Sequence, residues 1–311
     1  MNCSKICSAK FIIKGNKLYV RVSFLGMSHK FYLGDFVVEF YWVEKFEEYF
    51  KNNDMKQKVK NLKTGMDEIS CEYIEHFMAL TEYWKEYRKN IWTKYDIETE
   101  KRTQEFLKTF KQPFPEILHI NPYMMANAYG LVDLPKEVFE GINGKTVVDG
   151  GGLNGDTALL FHKYFPESAV YVFEPLSANV EKINSFLKID NCNNKIIPVQ
   201  KGLGEKSGVV EFCYDNNKDM VEIVTLDSFK EIFSPVGLIK LDTEGFETAI
   251  FKGALEVIKR DKPVLAIAMY HTPEDFFDLK SKIEDLNLGY KFMIRRSENI
   301  LPQADLVLIA Y

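Results

Sequence analysis

Thr146-Val147-Val148-Asp149-Gly150-Gly151-Gly152-Leu153-Asn154-Gly155-Asp156-Thr157 is the stretch that decides the fold. A short apolar run ends in a carboxylate, a glycine cluster follows, and residues 158–164 carry the apolar spacing of an amphipathic helix. Strand, tight turn and helix in this order make an α/β unit. Its glycines let a ligand come closer to the backbone than any Cβ would allow, and its helix start offers unpaired N–H groups. A nucleotide-like ligand is expected here, with Asp149, Gly150, Gly151, Gly152, Asn154, Gly155 and Asp156 as candidate binding residues.

Gly150, Gly152 and Gly155 also satisfy the G-x-G-x-x-G spacing of a dinucleotide site, a weak signal by itself. A dinucleotide sets its pyrophosphate against the helix N-terminus, where Asp149 at the strand end would repel it. S-adenosyl-L-methionine instead carries an ammonium and a sulfonium, which a carboxylate beside the turn attracts directly or through water. The expected cofactor is therefore S-adenosyl-L-methionine, with NAD(P) as the alternative. Gly141-Ile142-Asn143-Gly144-Lys145-Thr146 is too short for a phosphate-binding P-loop and leads into a strand where that motif needs a helix.

Further along, Val170-Tyr171-Val172-Phe173-Glu174-Pro175 reads as a second buried strand ending in an acid, one strand–helix–strand unit after Asp149. Glu174 is the candidate acceptor for both ribose hydroxyls. A third strand over residues 195–199 leads to Gln200-Lys201-Gly202, where the adenine would be flanked; Pro175 and Lys201 join the candidate cofactor-binding residues. Val236-Gly237-Leu238-Ile239-Lys240-Leu241-Asp242-Thr243-Glu244-Gly245-Phe246-Glu247 then brings three carboxylates to one turn. Burying them without partners is costly, so they bind something cationic, bond the turn or stay wet. Asp242 is assigned to the cofactor and, with His271, to catalysis. His271 follows an apolar strand and should share the carboxyl-end rim with Asp149, Glu174 and Asp242, as a base for a hydroxyl acceptor. It would equally suit a cap for the helix beginning at Thr272-Pro273-Glu274, and the base would then be Asp242. Asp242, Glu244 and His271 would together suit magnesium or manganese; no metal is expected.

Four strings in order, Val148-Asp149-Gly150-Gly151-Gly152-Leu153-Asn154-Gly155-Asp156, Phe173-Glu174-Pro175, Thr225-Leu226-Asp227 and Lys240-Leu241-Asp242-Thr243-Glu244-Gly245-Phe246-Glu247, resemble the FkbM family of methyltransferases. The likeness covers residues 121–311 and leaves out the first 110. Leu153 stands where many members have a polar residue, which removes a side-chain contact to the methionine end of the cofactor. The resemblance implies an α/β, Rossmann-like class I methyltransferase fold: a seven-stranded, mostly parallel sheet with helices on both faces, preceded by a smaller α+β region. It implies S-adenosyl-L-methionine-dependent methyl transfer, commonly to a hydroxyl on a sugar or secondary metabolite. Residues 289–294 and 304–311 would supply the last two strands, the final one reversed. The rival functions are an NAD(P)-dependent oxidoreductase and a non-catalytic cofactor-binding protein.

The expected domains are residues 1–112, an N-terminal hairpin plus helices of unknown role, and residues 113–311, the methyltransferase domain, divided at Pro113 and Pro115. Residues 11–24 predict a β-hairpin turning at Lys14-Gly15-Asn16-Lys17, with a third strand over residues 30–40. Tyr73, Phe77, Leu80, Trp84, Tyr87 and Ile91 recur at helical spacing and predict a core-facing helix. Tyr123 and Tyr129 should lie near the cleft. A formal net charge of −5 argues against a nonspecific grip on nucleic acid. Cys3, Cys7, Cys71, Cys192 and Cys213 are scattered and odd in number, which suits free thiols in a reducing compartment. No run approaches the roughly 20 apolar residues that span a bilayer. A soluble, cytoplasmic protein is expected, acting on a small-molecule or saccharide acceptor, with no nucleic acid or membrane partner and with a homo-oligomer left open.

Overall fold

The computed structural model describes residues 7–14, 17–24, 27–35, 43–82, 94–109, 121–190, 195–214, 217–298 and 305–311. The chain opens with β1 (Cys7–Lys14), β2 (Lys17–Phe24) and β3 (Met27–Asp35), an antiparallel sheet in that order. Lys14 pairs with Lys17, so the expected hairpin is present, although Gly15 and Asn16 themselves lie outside the described residues, as do residues 36–40. Helices α1 (Val43–Asn52), α2 (Met55–Lys63), α3 (Glu68–Glu82) and α4 (Lys94–Thr109) follow. Tyr73 and Phe77 on α3 are buried, as the helical spacing predicts; Trp84, Tyr87, Ile91, Pro113 and Pro115 lie outside the described residues.

After α5 (Pro122–Asn127) and α6 (Lys136–Glu140), the main sheet begins. Its first half is β4 (Thr146–Gly150), α7 (Asp156–Tyr164), β5 (Val170–Phe173), α8 (Ser177–Asp190) and β6 (Ile196–Val199). Three more strands, β7 (Gly202–Leu203), β8 (Gly208–Tyr214) and β9 (Asn217–Val224), make a separate small sheet in the order β7-β9-β8, which the sequence reading did not anticipate. The second half is β10 (Val236–Leu241), α9 (Glu247–Lys252), α10 (Leu255–Asp261), β11 (Val264–Ala268), α11 (Pro273–Phe277), α12 (Leu279–Glu284), β12 (Phe292–Arg296) and β13 (Leu306–Ala310). Helices α9 and α10 are separated by a break. The break falls at Gly253, where a Cβ would lie 2.1 Å from the Gly204 carbonyl oxygen, so glycine lets this turn close onto the loop after β7.

The seven strands run in the order β12-β13-β11-β10-β4-β5-β6. Pairings among β10, β11, β4, β5 and β6 are parallel, and β13 is antiparallel to both β11 and β12, so the reversed last strand is present. Every residue of β4, β10 and β11 is buried. Alternate side chains serve opposite faces: Val148, Ile239 and Ile267 pack with α9–α12, while Val147, Leu238 and Ala266 pack with α5, α7 and α8. A parallel strand covered on both faces reads as an unbroken apolar run rather than an alternation, which is how these strings read. This is the Rossmann-like class I methyltransferase fold. Because chain order runs outward from β4 toward β6 and from β10 toward β11, the carboxyl ends of β4 and β10 form the crevice where open α/β sheets bind ligands.

The N-terminal helices cover part of one face. Phe46, Tyr73 and Phe77 belong to the same buried cluster as Phe276 and Leu308, and Phe77 stacks on Phe276 at 3.9 Å between centroids. A buried ion pair adds to this seam, Arg296 Nε donating to Asp96 Oδ1 at 2.9 Å while Tyr73 Oη donates to the same oxygen at 2.7 Å. Cys71 is a free thiol; Cys3 and Cys192 lie outside the described residues. Among the described residues no helix is long and apolar enough to cross a membrane.

Candidate functional site

The glycine turn after β4 is held from below by a buried lysine. Lys240 Nζ lies 3.0 Å from Asp149 Oδ1 and donates to the carbonyls of Gly151 at 2.8 Å and Gly150 at 3.3 Å. Thr157 Oγ1 donates to the other Asp149 oxygen at 2.7 Å. Asp149 is fully buried and is not among the residues that line the cavity; its charge is answered by Lys240. Burial alone would lower the Lys240 pKa, yet Asp149 and then Asp242 outweigh it, so the ammonium is held above its ordinary value. Gly151 sits at φ 79°, and a Cβ there would lie 1.9 Å from the Asp242 carbonyl oxygen, so only glycine lets the turns after β4 and β10 meet. Gly150, Gly152 and Gly155 face Leu241, Val172 and Phe186 rather than the cavity. Asn154 Oδ1 accepts from the Asp156 N–H at 3.1 Å and shapes the turn without reaching the wall.

Above the turn is a cavity of about 680 Å³, within the usual range for small-molecule and cofactor sites. Gly151, Asp156, Glu174, Pro175 and Asp242 all line it, so the three acids that the sequence assigned to separate motifs share one wall. Glu174 Oε2 accepts the Leu153 N–H at 2.9 Å, and Oε1 accepts the Leu176 N–H at 2.9 Å and Asn179 Nδ2 at 3.3 Å. A carboxylate has about four lone-pair sites, so Glu174 keeps capacity toward the cavity. Asp156 is held up at about 6 by burial, against the pull of Lys240 and the Thr157 N–H. Glu298, also on the wall, is raised by burial and by Asp305. Lys201 does not face the cavity: its ammonium pairs with Glu222 on β9 at the surface. Its place on the wall is taken by Gly202, which the sequence placed beside the adenine, and by Leu203 and the loop leading into β8, which the sequence reading missed along with Lys240.

Asp242 sits at the floor, and Tyr129 Oη donates to its Oδ2 at 2.8 Å. The sequence expected Tyr129 near the cleft, and it lines the cavity; Tyr123 is buried away from it. Ala128 and Tyr129 stand at φ 46° and 61°, a region that costs non-glycine residues roughly 1–2 kcal/mol each. The turn is pinned nearby by Asp133, which Arg295 Nε reaches at 2.6 Å and Arg102 at 3.2 Å.

His271 lies behind Asp242, buried, with Nε2 at 3.6 Å from Asp242 Oδ1 and 3.7 Å from Glu244 Oε2. Its Nδ1 bonds Glu247 Oε1 at 2.9 Å. It does not cap the following helix: Thr272 does, accepting the Asp275 N–H at 3.1 Å. Burial alone would lower the imidazole pKa, but the bond and charge of Glu247, then Asp242 and Glu244, push it up to about 9. His271 is therefore an imidazolium at neutral pH, with no lone pair to take a proton. Asp242, Glu247 and His271 each offer an atom within 4.8 Å of the others. However, Glu247 Oε1 also accepts from Thr243 N at 2.6 Å, and Oε2 accepts from Gly245 N at 2.9 Å. These bonds tie the group into the β10–α9 turn.

A measurable pH dependence follows. The folded imidazole titrates at about 9, above its ordinary 6.5. Its stabilisation is complete below pH 6.5 and lost as pH rises through 9. The loss across this window, taken as the difference between the native chain and His271→Gln in urea unfolding, should be on the order of 3 kcal/mol. Parallel profiles for the two proteins would mean that His271 carries no extra proton when folded.

Residues 149–292 match the family model of the methyltransferase FkbM domain. Among solved structures the chain is similar to a methyltransferase FkbM from Methylobacillus flagellatus KT, at 20% identity and TM-score 0.48 over 77% of this chain and 62% of that one. It is similar to a methyltransferase from Geobacter sulfurreducens, at 11% identity and TM-score 0.38 over 75% and 96% of the two chains. It is also similar to fibrillarin from Aeropyrum pernix with natively bound S-adenosyl-L-methionine, at 14% identity and TM-score 0.38 over 60% and 73%. The chain thus spans less than two thirds of the first of these. No curated protein sequence matches it.

Proposed function

Since residues 149–292 are a methyltransferase FkbM domain, we propose that the protein transfers a methyl group from S-adenosyl-L-methionine to a hydroxyl on a small-molecule or saccharide acceptor. The observation that carries the reading is the gathering of Glu174, Asp156, Glu298 and Asp242 on one cavity wall at the sheet's switch point. Burial and neighbouring acids keep two of these carboxyls above their ordinary range, the direction expected where a cation belongs. A pyrophosphate would instead meet Asp156 at the start of α7 and be repelled, which disfavours NAD(P).

In this reading Glu174 holds the ribose hydroxyls, the Gly151 turn receives the methionine end, and Pro175, Leu176 and Leu203 flank the adenine. Asp149 acts through Lys240, fixing the turn rather than touching the ligand. When bound, the cofactor supplies a methyl carbon made electrophilic by its sulfonium. Asp242 would accept the proton that the acceptor hydroxyl gives up. Tyr129 orients Asp242 and His271 stands behind it, so catalysis rests on Asp242 with His271 in support. The cavity walls align the acceptor and exclude water. We also take residues 113–311 as the catalytic domain, with residues 1–112 bracing it.

Calorimetric titration with S-adenosylmethionine, S-adenosylhomocysteine and NADH tests the cofactor. Both sulfur ligands should bind, and Glu174→Ala should weaken them by roughly 10- to 100-fold, the loss of hydrogen bonds to a charged group. Binding of NADH alone would overturn the proposal.

A further inference from the structure

Half of the large apolar side chains exposed among the described residues ring this one cavity. Leu153 is 58% exposed, Val209 62%, Val210 45% and Phe246 50%, and all four line it. They come from three separate stretches of chain: the glycine turn, strand β8 and the β10–α9 turn. None is placed there by folding. Exposed apolar surface stabilises nothing until something covers it, and Leu153 is held outward in a left-handed conformation at φ 44°, which opposes folding further. Clustered exposure of this kind marks a binding surface.

In the reading above the cofactor's polar parts meet Glu174 and Asp156 and its adenine meets Pro175, Leu176 and Leu203, which leaves these four side chains without a partner group on the ligand. A bare saccharide could bond Glu205, Lys206 and Ser207, which also line the cavity, but it would leave the four apolar side chains uncovered. A bilayer is disfavoured by the charges beside the rim, where the exposed acids Glu205 and Glu244 outnumber the exposed base Lys206 and a basic fringe would be expected against anionic lipid.

We infer that the acceptor is a dissolved amphiphile, its hydroxyl carried on an apolar body that Leu153, Val209, Val210 and Phe246 grip while Asp242 and Tyr129 meet the hydroxyl. The inference rests on the methyltransferase reading and narrows its acceptor class. Covering two such side chains is worth at least about tenfold in affinity.

The test uses the full chain saturated with S-adenosylhomocysteine, titrated with octyl β-glucoside below its micelle concentration and with methyl β-glucoside, which share a sugar and differ in the apolar tail. Octyl glucoside should bind at least about tenfold more tightly. Val209→Ser with Phe246→Ser should erase that preference while S-adenosylhomocysteine affinity stays within twofold. Equal affinity for the two glucosides, no binding of either, or a preference that survives the substitutions would overturn the inference. So would an equal fall in S-adenosylhomocysteine affinity, which would assign these residues to the cofactor. Co-sedimentation of the chain with phosphatidylcholine vesicles, lost in the same variant, would replace it with a lipid contact. Failure of S-adenosylhomocysteine to bind the native chain at all would sink the methyltransferase reading instead, and is seen separately.

Discussion

Replacing Lys240 with alanine should lower folding stability by about 3–5 kcal/mol, the usual cost of removing one partner from a buried ion pair. The side chains of Lys240 and Asp149 are 2% and 0% exposed, so the pair is out of bulk water. The substitution strands the Asp149 charge and takes a donor from the carbonyls of Gly150 and Gly151. Urea unfolding monitored by circular dichroism reads the loss. Joining Lys240→Met to Asp149→Asn should recover most of it, because the unpaired charge goes and the volume is kept. A loss below 1 kcal/mol for Lys240→Ala would mean that Asp149 is already neutral or hydrated in the folded chain.

Asp242→Asn should reduce methyl transfer by about 10²–10⁴, the range for loss of a general base, while cofactor affinity changes little. Asparagine keeps the shape and still accepts from Tyr129 Oη, at 2.8 Å in the native site, but takes no proton. His271→Gln should have a much smaller effect, since the imidazole is already charged at neutral pH. The measurement is single-turnover methyl transfer to an acceptor that the native enzyme methylates. If the histidine variant loses more than the aspartate variant, the proton goes to His271 and the charge reading of that ring fails.

The two predictions probe residues that differed in how readable they were. Asp242 stood out because an acid that ends an apolar strand has no packing reason to be there. Lys240 carried the same kind of signal, a cation inside Val236-Gly237-Leu238-Ile239-Lys240-Leu241, but its partner Asp149 was already assigned to a ligand and the lysine was passed over. The main sheet was legible for a simple reason: each parallel strand is covered on both faces, so each is a short apolar run between glycines and acids. The β7–β9 sheet was not, because Gly208–Tyr214 and Asn217–Val224 mix exposed apolar and charged residues and follow no single face. Tyr129 and Asp242 lie 113 residues apart, and no local spacing reports a contact made by the closing of the sheet. An aromatic stripe such as Tyr73 and Phe77 tells that a face is covered, not what covers it.

Strand β13 lies between β11 and β12, although every other strand precedes it in the chain. A growing polypeptide therefore exposes Val264–Ala268 as an unpaired apolar edge until residues 306–310 arrive, and such edges template pairing between molecules. Tyr270 and His271 follow that edge directly, so the floor of the cavity is among the last parts to set. A nascent chain stalled between β12 and β13 would leave Tyr270 and His271 following a strand still unpaired on that side. The hazard of aggregation therefore lasts until residues 306–310 pair with Val264–Ala268.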